Sequence, residues 1–349
     1  MKVLQVMAGA EQGGAETAFV DTCLALKETG IEIEVAARAN KGRNPRLEEA
    51  GIKIHTLPFG GKIDFYTPWK LKQIIKEFDP VIVQTWMSRG TVKTPASSDG
   101  KYLKVSRLGG YYDLKYYKTS DYFIANTPDI KSYLLREGVV PSRVVHINNY
   151  APAENAAPLS RKDLNTPDKA IVVLALARLH ENKALDILIR AVEDLPNIHV
   201  WIAGIGPLHQ ELEELSCSLG IPERIHFLGW RDDRAALMAT SNIVCVPSRH
   251  EPFGNVFVQA WANKVPLITS NSEGPSQYVH DGEDALVFTV DDVDGLKAAL
   301  RELSANETLR RKLSENGYQR YLGEFTKEKT VEAYLKFYSD ILERESLTR

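Results

Sequence analysis

Apolar residues fall along the chain in short blocks separated by longer amphipathic stretches. Blocks at 2–7, 31–37, 52–57, 81–85, 103–106, 122–125 and 144–147 are rich in Val, Ile and Leu. Short, near-continuous apolar runs of this kind predict parallel strands buried on both faces. Helical periodicity lies between several of them, at 14–28, 43–50, 68–77 and 128–137. In the first of these, Ala15, Ala18, Phe19, Cys23, Leu24 and Leu26 form one apolar stripe. Such alternation predicts a doubly wound, mostly parallel sheet.

The pattern breaks at 151–167, where Pro152, Pro158 and Pro167 stand among Ala, Asn and Ser, and a linker is expected there. It then restarts, with strand blocks at 170–176, 199–203, 225–227, 243–246 and 266–269. Helices are expected to begin near Lys183, Pro207, Arg231 and Gly254, and the chain from Asp291 onward reads as helical. Near the end, Val331, Tyr334, Leu335, Tyr338, Ile341 and Leu342 recur every three or four residues, a stripe that must be buried. The expected organisation is therefore a first Rossmann-like domain at 1–152, a linker at 153–167, a second Rossmann-like domain at 168–327 and a closing helix at 328–349. The fold class is α/β, with two facing doubly wound domains and a cleft between them. Ligands of such sheets bind outside the carboxyl ends of the strands.

The 349 residues are 44% hydrophobic and 26% charged, ordinary for a globular protein. No apolar run is long enough for a transmembrane helix, and residues 1–7 read as a strand rather than a signal peptide. Cys23, Cys217 and Cys245 show no metal-ligand spacing and read as reduced and buried. These features predict a cytoplasmic protein. The net charge of −3 divides unevenly, +5 over residues 1–150 and −8 over the rest. The first half thus suits either an ordinary solvated surface or an anionic partner such as a phospholipid leaflet or a phosphorylated glycolipid. Its basic residues are dispersed, so no nucleic-acid site is expected.

The richest stretch for chemistry is Ser248-Arg249-His250-Glu251-Pro252-Phe253-Gly254-Asn255-Val256-Phe257-Val258-Gln259-Ala260. It follows the apolar run 243–247 and leads into a helix, so Glu251 sits just past a strand end and Gly254 opens the helix. Free N–H groups at a helix start favour phosphate. Arg178 and Lys183 flank the first strand–helix junction of the second half, where a guanidinium and an ammonium suit a diphosphate; solvated loop charges are the alternative. Gly13 and Gly14 open the first helix, either to let a ligand approach or simply to make a tight turn. Gly204 and Gly206 make another glycine turn, and Asn271–Gln277 a third rim. In the first half, Trp86 with Arg89, and Arg107 with Tyr111, follow strands and are acceptor-side candidates. No histidine pair, acidic pair or G-x-S-x-G predicts a metal site or a serine nucleophile.

In order and spacing, these segments resemble the retaining glycosyltransferases of family 4, which have the GT-B fold. The resemblance spans nearly the whole chain and rests on Gly13-Gly14-Ala15-Glu16, Arg178 with Lys183, Gly204-x-Gly206, Pro247-Ser248, Glu251-x-Phe253-Gly254, Asn263-Lys264-Val265-Pro266 and Glu273-Gly274-Pro275. Gln84–Arg89 and Arg107–Tyr112 look like bacterial lipopolysaccharide-core sugar transferases. The resemblance implies that Arg178 and Lys183 hold the donor diphosphate in place of a metal, and that Glu251 binds hydroxyls of the donor sugar. Donor contacts are also implied for Gly13, Gly14, Gly204 and the amides near Phe253, Gly254, Asn255 and Val256. The closing helix would pack back on the first domain. No cofactor is implied beyond a nucleotide-diphosphate sugar as donor, with guanosine diphosphate mannose the family-level guess. The implied acceptor is a lipopolysaccharide-core or other cell-surface glycan or glycolipid, reached at the inner face of the membrane.

The chain departs from the family pattern at Gln259, where a ribose-binding Glu is usual, and at Gln277, where a Glu usually follows the Gly-Pro turn. The first-domain loops also offer no His near the reacting carbon. A neutral amide accepts weaker hydrogen bonds than a carboxylate. A weakened homologue acting as a partner subunit is therefore the alternative to a metal-independent hexosyltransferase, and a nucleotide-sugar epimerase is the second.

Overall fold

A computed structural model describes residues 1–11, 13–97 and 100–347. The last two residues of the expected closing helix, 348 and 349, lie outside the described residues. The chain divides into two compact units, one made of Met1–Asn149 together with the chain from Lys327 onward, the other of Tyr150–Thr326.

The first unit is built on β1 (Lys2–Met7), β2 (Glu32–Ala37), β3 (Lys53–Thr56), β4 (Ile82–Trp86), β5 (Leu103–Leu108), β6 (Tyr122–Ala125) and β7 (Val144–His146), which form one parallel sheet in the order β3-β2-β1-β4-β5-β6-β7. Its helices are α1 (Gly14–Glu28), α2 (Arg43–Glu49), α3 (Tyr66–Phe78), α4 (Met87–Lys93) and α5 (Pro128–Arg136). Local chemistry sets their ends. At α5, Thr127 accepts from the Ile130 amide at 3.1 Å and Pro128 takes the first position, where no amide is needed. The second unit holds β8 (Ile171–Leu176), β9 (Ile198–Ala203), β10 (Ile225–Gly229), β11 (Ile243–Val246), β12 (Leu267–Ser270) and β13 (Leu286–Phe288), again all parallel, in the order β10-β9-β8-β11-β12-β13. Around them lie α6 (Leu185–Ala191), α7 (His209–Ser218), α8 (Arg234–Thr240), α9 (Asn255–Ala262), α10 (Pro275–Tyr278), α11 (Val293–Ala305) and α12 (Glu307–Glu324). Strand order reverses between β1 and β4 in one unit and between β8 and β11 in the other. Those are the points where a doubly wound sheet opens a crevice at its carboxyl edge.

The last helix, α13 (Lys327–Leu347), belongs to the first unit. Its Tyr334, Phe337, Tyr338 and Ile341 are buried in one core with Phe19 and Trp86, and Tyr338 Oη donates to Gln84 Oε1 at 2.6 Å.

Several expectations need correction. The second half of the expected linker, 159–167, is fastened to the second unit, whereas 153–158 is mostly exposed. Leu159 and Leu164 pack against its core, and Arg161 donates to the carbonyls of Asp168, Ala170 and Thr240 and to Asn242 Oδ1. The stretch after Trp86, where no helix was expected, is helix α4. Strand β13 has no counterpart among the expected strands. Cys217 is exposed on α7, whereas Cys23 and Cys245 are buried.

Candidate active site

In the second unit the loops after β8 and β11 flank the switch point, and their backbones are tied together. The amides of Arg249 and His250 both donate to the carbonyl of Asn182, at 2.9 and 3.2 Å. The Arg249 side chain fastens the same junction: Nη1 donates to the Glu181 carbonyl at 2.8 Å, Nη1 and Nη2 grip both oxygens of Asp186 at 3.0 and 2.8 Å, and Nε reaches Asp291 at 2.5 Å. Every guanidinium edge is thereby used, the bidentate geometry that suits arginine and not lysine.

This clamp brings Lys183 Nζ to 2.5 Å from Glu251 Oε2, both side chains being largely buried. Ser248 Oγ lies 3.4 Å from the same carboxylate oxygen. Glu251 is also held through its backbone. Its amide donates to Glu273 Oε2 at 3.0 Å, and its carbonyl accepts from the Gly274 amide at 2.7 Å. Glu273 Oε1 lies 2.6 Å from His250 Nδ1. Burial alone would raise the Glu273 carboxyl, but the backbone amides and His250 outweigh it and hold the group below its ordinary value. A β-carbon on Gly274 would lie 2.2 Å from the Phe253 carbonyl oxygen, so only glycine lets this turn sit against the Glu251 loop.

Gly254 adopts φ 97°, the left-handed region, and turns the chain directly into α9. The first amides of that helix, those of Asn255 and Val256, are of the kind that lack an intrahelical acceptor. Asn255, Val256 and Gln259 lie on the partly exposed stripe of α9, while Phe257, Val258 and Ala260 are buried. The Gln259 side chain makes no hydrogen bond among the described residues; its backbone carbonyl accepts from Asn263 Nδ2. The Phe253 ring is buried against Phe257, Tyr278 and Phe325, so this residue offers its backbone and not its ring. Arg178 is exposed just past β8. An ammonium and a helix start thus lie at one switch point, an arrangement suited to a phosphate dianion, and Arg178 follows the same strand, β8.

Gly204 plays another part. Its amide donates to the Gly229 carbonyl at 2.8 Å, and a β-carbon there would lie 1.9 Å from the Ala177 carbonyl oxygen. Gly206 is packed equally tightly on Leu179. Both glycines support the loop that carries Arg178, and the Gly204 amide is not free to meet a ligand.

In the first unit, two acceptor-side candidates prove to be core. Trp86 is 1% exposed, meets Phe19 edge-on and donates to Gln5 Oε1 at 2.8 Å. Arg107 is also buried, with its guanidinium 4.2 Å over the Trp86 ring and hydrogen-bonded to Asn149. Each belongs to a fully buried central strand, which is why position at a strand's end did not bring it to the surface. Arg89 is exposed on α4, and Tyr111 is partly exposed, its hydroxyl donating to Asp129 at 2.5 Å. Gly13 precedes α1 in extended backbone, and a β-carbon there would lie 2.4 Å from Glu16 Oε2. Glu16 in turn accepts from the Ala10 amide at 2.7 Å. Gly14 is the first residue of α1.

Comparison with known proteins decides the family. The model of glycosyl transferases group 1 matches residues 157–320, and that of Glycosyltransferase Family 4 matches residues 12–154. The lipopolysaccharide core biosynthesis glycosyltransferase LpsE of Rhizobium meliloti is 32% identical over 96% of this chain and 98% of its own length. LpsD of the same organism is 33% identical over 97% and 98%. The chain belongs to the family 4 glycosyltransferases. Among solved structures, Anabaena Alr3699/HepE in complex with UDP-glucose superposes with a TM-score of 0.85 at 20% identity, covering 97% of this chain and all of the other. The lipopolysaccharide outer core galactosyltransferase WaaB gives a TM-score of 0.74 at 18% identity. At those identities the likeness concerns the fold, which is GT-B.

For this glycosyltransferase, the sequence places Arg249 and Glu273 in the chemistry-bearing stretches but assigns neither a role. Both stand in polar stretches between elements, where a charge gives no sign of its partner. The available signals were the place of Arg249 two residues before Glu251 and that of Glu273 in the Glu273-Gly274-Pro275 motif. Among the described residues, no helix is long and apolar enough to cross a membrane.

Proposed function

We propose that this glycosyltransferase moves a hexosyl group from a nucleotide-diphosphate sugar to a lipopolysaccharide-core glycan, with retention of configuration and without a metal ion. The observation that carries the reading is the Lys183–Glu251 pair at the β8/β11 switch point, clamped by Arg249. Lys183 and Arg178 would bind the diphosphate and stabilise the leaving nucleoside diphosphate, the charge that builds up in the transition state. Glu251 would accept hydrogen bonds from donor-sugar hydroxyls, and the α9 amides from Asn255 onward would face phosphate or sugar. Gln259, one turn further along the same stripe, would meet the ribose, more weakly than a carboxylate would.

No side chain in this set stands out as a nucleophile. The reading therefore has the acceptor hydroxyl attack on the face the phosphate leaves, with the departing phosphate oxygen taking the proton. The acceptor class is supported by the names of the two Rhizobium relatives, and the nucleotide-sugar donor by the UDP-glucose in the HepE structure. Gly13, Gly14, Arg89 and Tyr111 remain the first-unit candidates for substrate contact. Cytoplasmic placement at the inner face of the membrane follows from a lipid-borne acceptor.

The test is thermal denaturation with a panel of UDP- and GDP-hexoses in EDTA, since a ligand that binds only the native state raises its stability. One donor should raise the melting temperature, and transfer from it should survive EDTA. A strict requirement for a divalent ion would contradict the reading. No shift with any donor at millimolar concentration would favour a degenerate partner subunit.

A further inference from the structure

The connection from β3 to α3 in the first unit combines a rigid backbone with an apolar exterior. Asp64 is turned inward and accepts from the Gly60 amide at 2.7 Å, the Thr67 amide at 3.0 Å and the Thr67 hydroxyl at 2.6 Å. Lys93 reaches in from α4 and donates to the carbonyls of Gly61 and Asp64 at 2.9 and 2.6 Å. Arg38, past the end of β2, donates to the carbonyls of Pro58, at 2.9 Å, and Phe59. Phe59 is itself buried, at φ 42°, and its amide donates to Thr67.

On this braced loop and the first turn of α3, four large side chains face solvent. Ile63 is 86% exposed, Phe65 76%, Tyr66 53% and Trp69 54%. The Tyr66 and Trp69 rings lie 5.8 Å apart. Exposed Lys62, Lys72 and Lys76 flank them, and none has a carboxylate within 4.0 Å among the described residues. The only acid between 61 and 76 is Asp64, already engaged with the loop.

The geometry points to this face as the surface on which the protein docks on an anionic lipid bilayer. Tyr and Trp favour the headgroup level, where ring and polar tip are both satisfied. Unpaired lysines are drawn to an anionic leaflet. A protein partner is the poorer fit, because protein interfaces are depleted in lysine. With 13 residues, α3 is too short to cross the bilayer, so the contact is interfacial. Because the brace fixes the loop beforehand, little ordering is needed when the side chains insert. The inference rests on the proposed lipid-borne acceptor for its purpose, but the contact requires no substrate.

Co-sedimentation of the full chain with vesicles tests it, using phosphatidylglycerol–phosphatidylethanolamine against phosphatidylcholine. The wild type should bind the anionic vesicles, more weakly as salt rises. The variant I63S/F65S/W69S should lose roughly tenfold or more in partitioning at every salt concentration, and K62E/K72E/K76E should lose the salt-dependent part. All three should keep the same circular dichroism and the same thermal shift with donor. Wild type remaining in the supernatant with anionic vesicles, or I63S/F65S/W69S sedimenting like wild type, would overturn the proposal. So would a concentration-dependent dimer, seen by sedimentation velocity, that I63S/F65S/W69S abolishes, because a second copy would then cover the face. If the donor-site reading alone is wrong, vesicle binding persists while no nucleotide sugar shifts the melting temperature.

Discussion

Lys183 Nζ lies 2.5 Å from Glu251 Oε2 across 68 residues of sequence. One residue is on the turn after β8 and the other on the turn after β11, the two strands between which the sheet order reverses. The pair owes its closeness less to either turn than to what holds the turns together: two amides on the Asn182 carbonyl and the four side-chain hydrogen bonds of Arg249. If the proposed donor site is right, the largely buried Lys183 ammonium would exchange part of that contact for a donor phosphate.

Arg249 should act as a positioning residue. R249A is expected to cost about 1–3 kcal/mol of stability, since it leaves Asp186 and Asp291 unpaired, and to weaken donor binding several-fold. R249K should recover little, because lysine lacks the planar fork. Chemical denaturation and donor titration of both variants check this; full recovery by lysine would show that charge alone suffices.

Gln259 should limit donor affinity. Restoring a carboxylate in Q259E would strengthen a ribose contact by about 1–2 kcal/mol, or roughly tenfold in Kd. Isothermal titration with the best donor measures it. An unchanged Kd would place the ribose away from this residue.

Gly274 should tolerate no side chain. G274A places a β-carbon 2.2 Å from the Phe253 carbonyl oxygen, and a loss of about 2–4 kcal/mol is expected, with donor binding lost alongside. The control is G323A in α12, where a β-carbon meets nothing within 4 Å. There, stability should hold or rise by about 0.5–1 kcal/mol from helix propensity.

Asp64 should make the first unit acid-sensitive. Burial would raise its carboxyl, but hydrogen bonds from Thr67 and Gly60 and the nearby Lys93 ammonium outweigh it and lower it to about 2. A carboxyl depressed on folding stabilises the native state above its unfolded value near 3.8, and that contribution is lost as pH falls toward 2. D64N should therefore be less stable than wild type at pH 7, with the gap closing between about pH 4 and pH 2. Denaturant midpoints across that range check it; a constant gap would assign the loss to packing.

Most of the strands were legible because buried parallel strands have to be continuous apolar blocks, as at 243–246 and 103–106. Strand β13 is three residues long and stands between Asp281-Gly282-Glu283-Asp284 and Asp291-Asp292, in a stretch not read as a strand. Helix α4 escaped because it follows β4 without a linker: Met87 turns the chain at φ 60° and no polar residue caps it. The positions of Arg178, Lys183, Glu251 and Gly254 just past β8 and β11 were readable from the apolar blocks that precede them. Trp86 and Arg107 misled, because an aromatic and an arginine at strand ends look like ligand contacts until each is seen to cover the other. The fastened stretch at 159–167 was hidden for the opposite reason. The prolines and small residues of 151–167 resemble a linker, while the few side chains that bind the stretch down, Leu159, Arg161 and Leu164, are outnumbered.

The most direct test of the central claim is donor binding and single-turnover transfer in wild type, K183A and E251Q, all in EDTA. The account predicts that wild type binds one nucleotide-diphosphate hexose and transfers it. K183A should lose about 10²–10³-fold in transfer, as when one group stabilising developing charge is removed, while E251Q should be weakened chiefly toward the sugar and keep its affinity for the free nucleoside diphosphate. Transfer by K183A at the wild-type rate, with unchanged donor affinity, would contradict it.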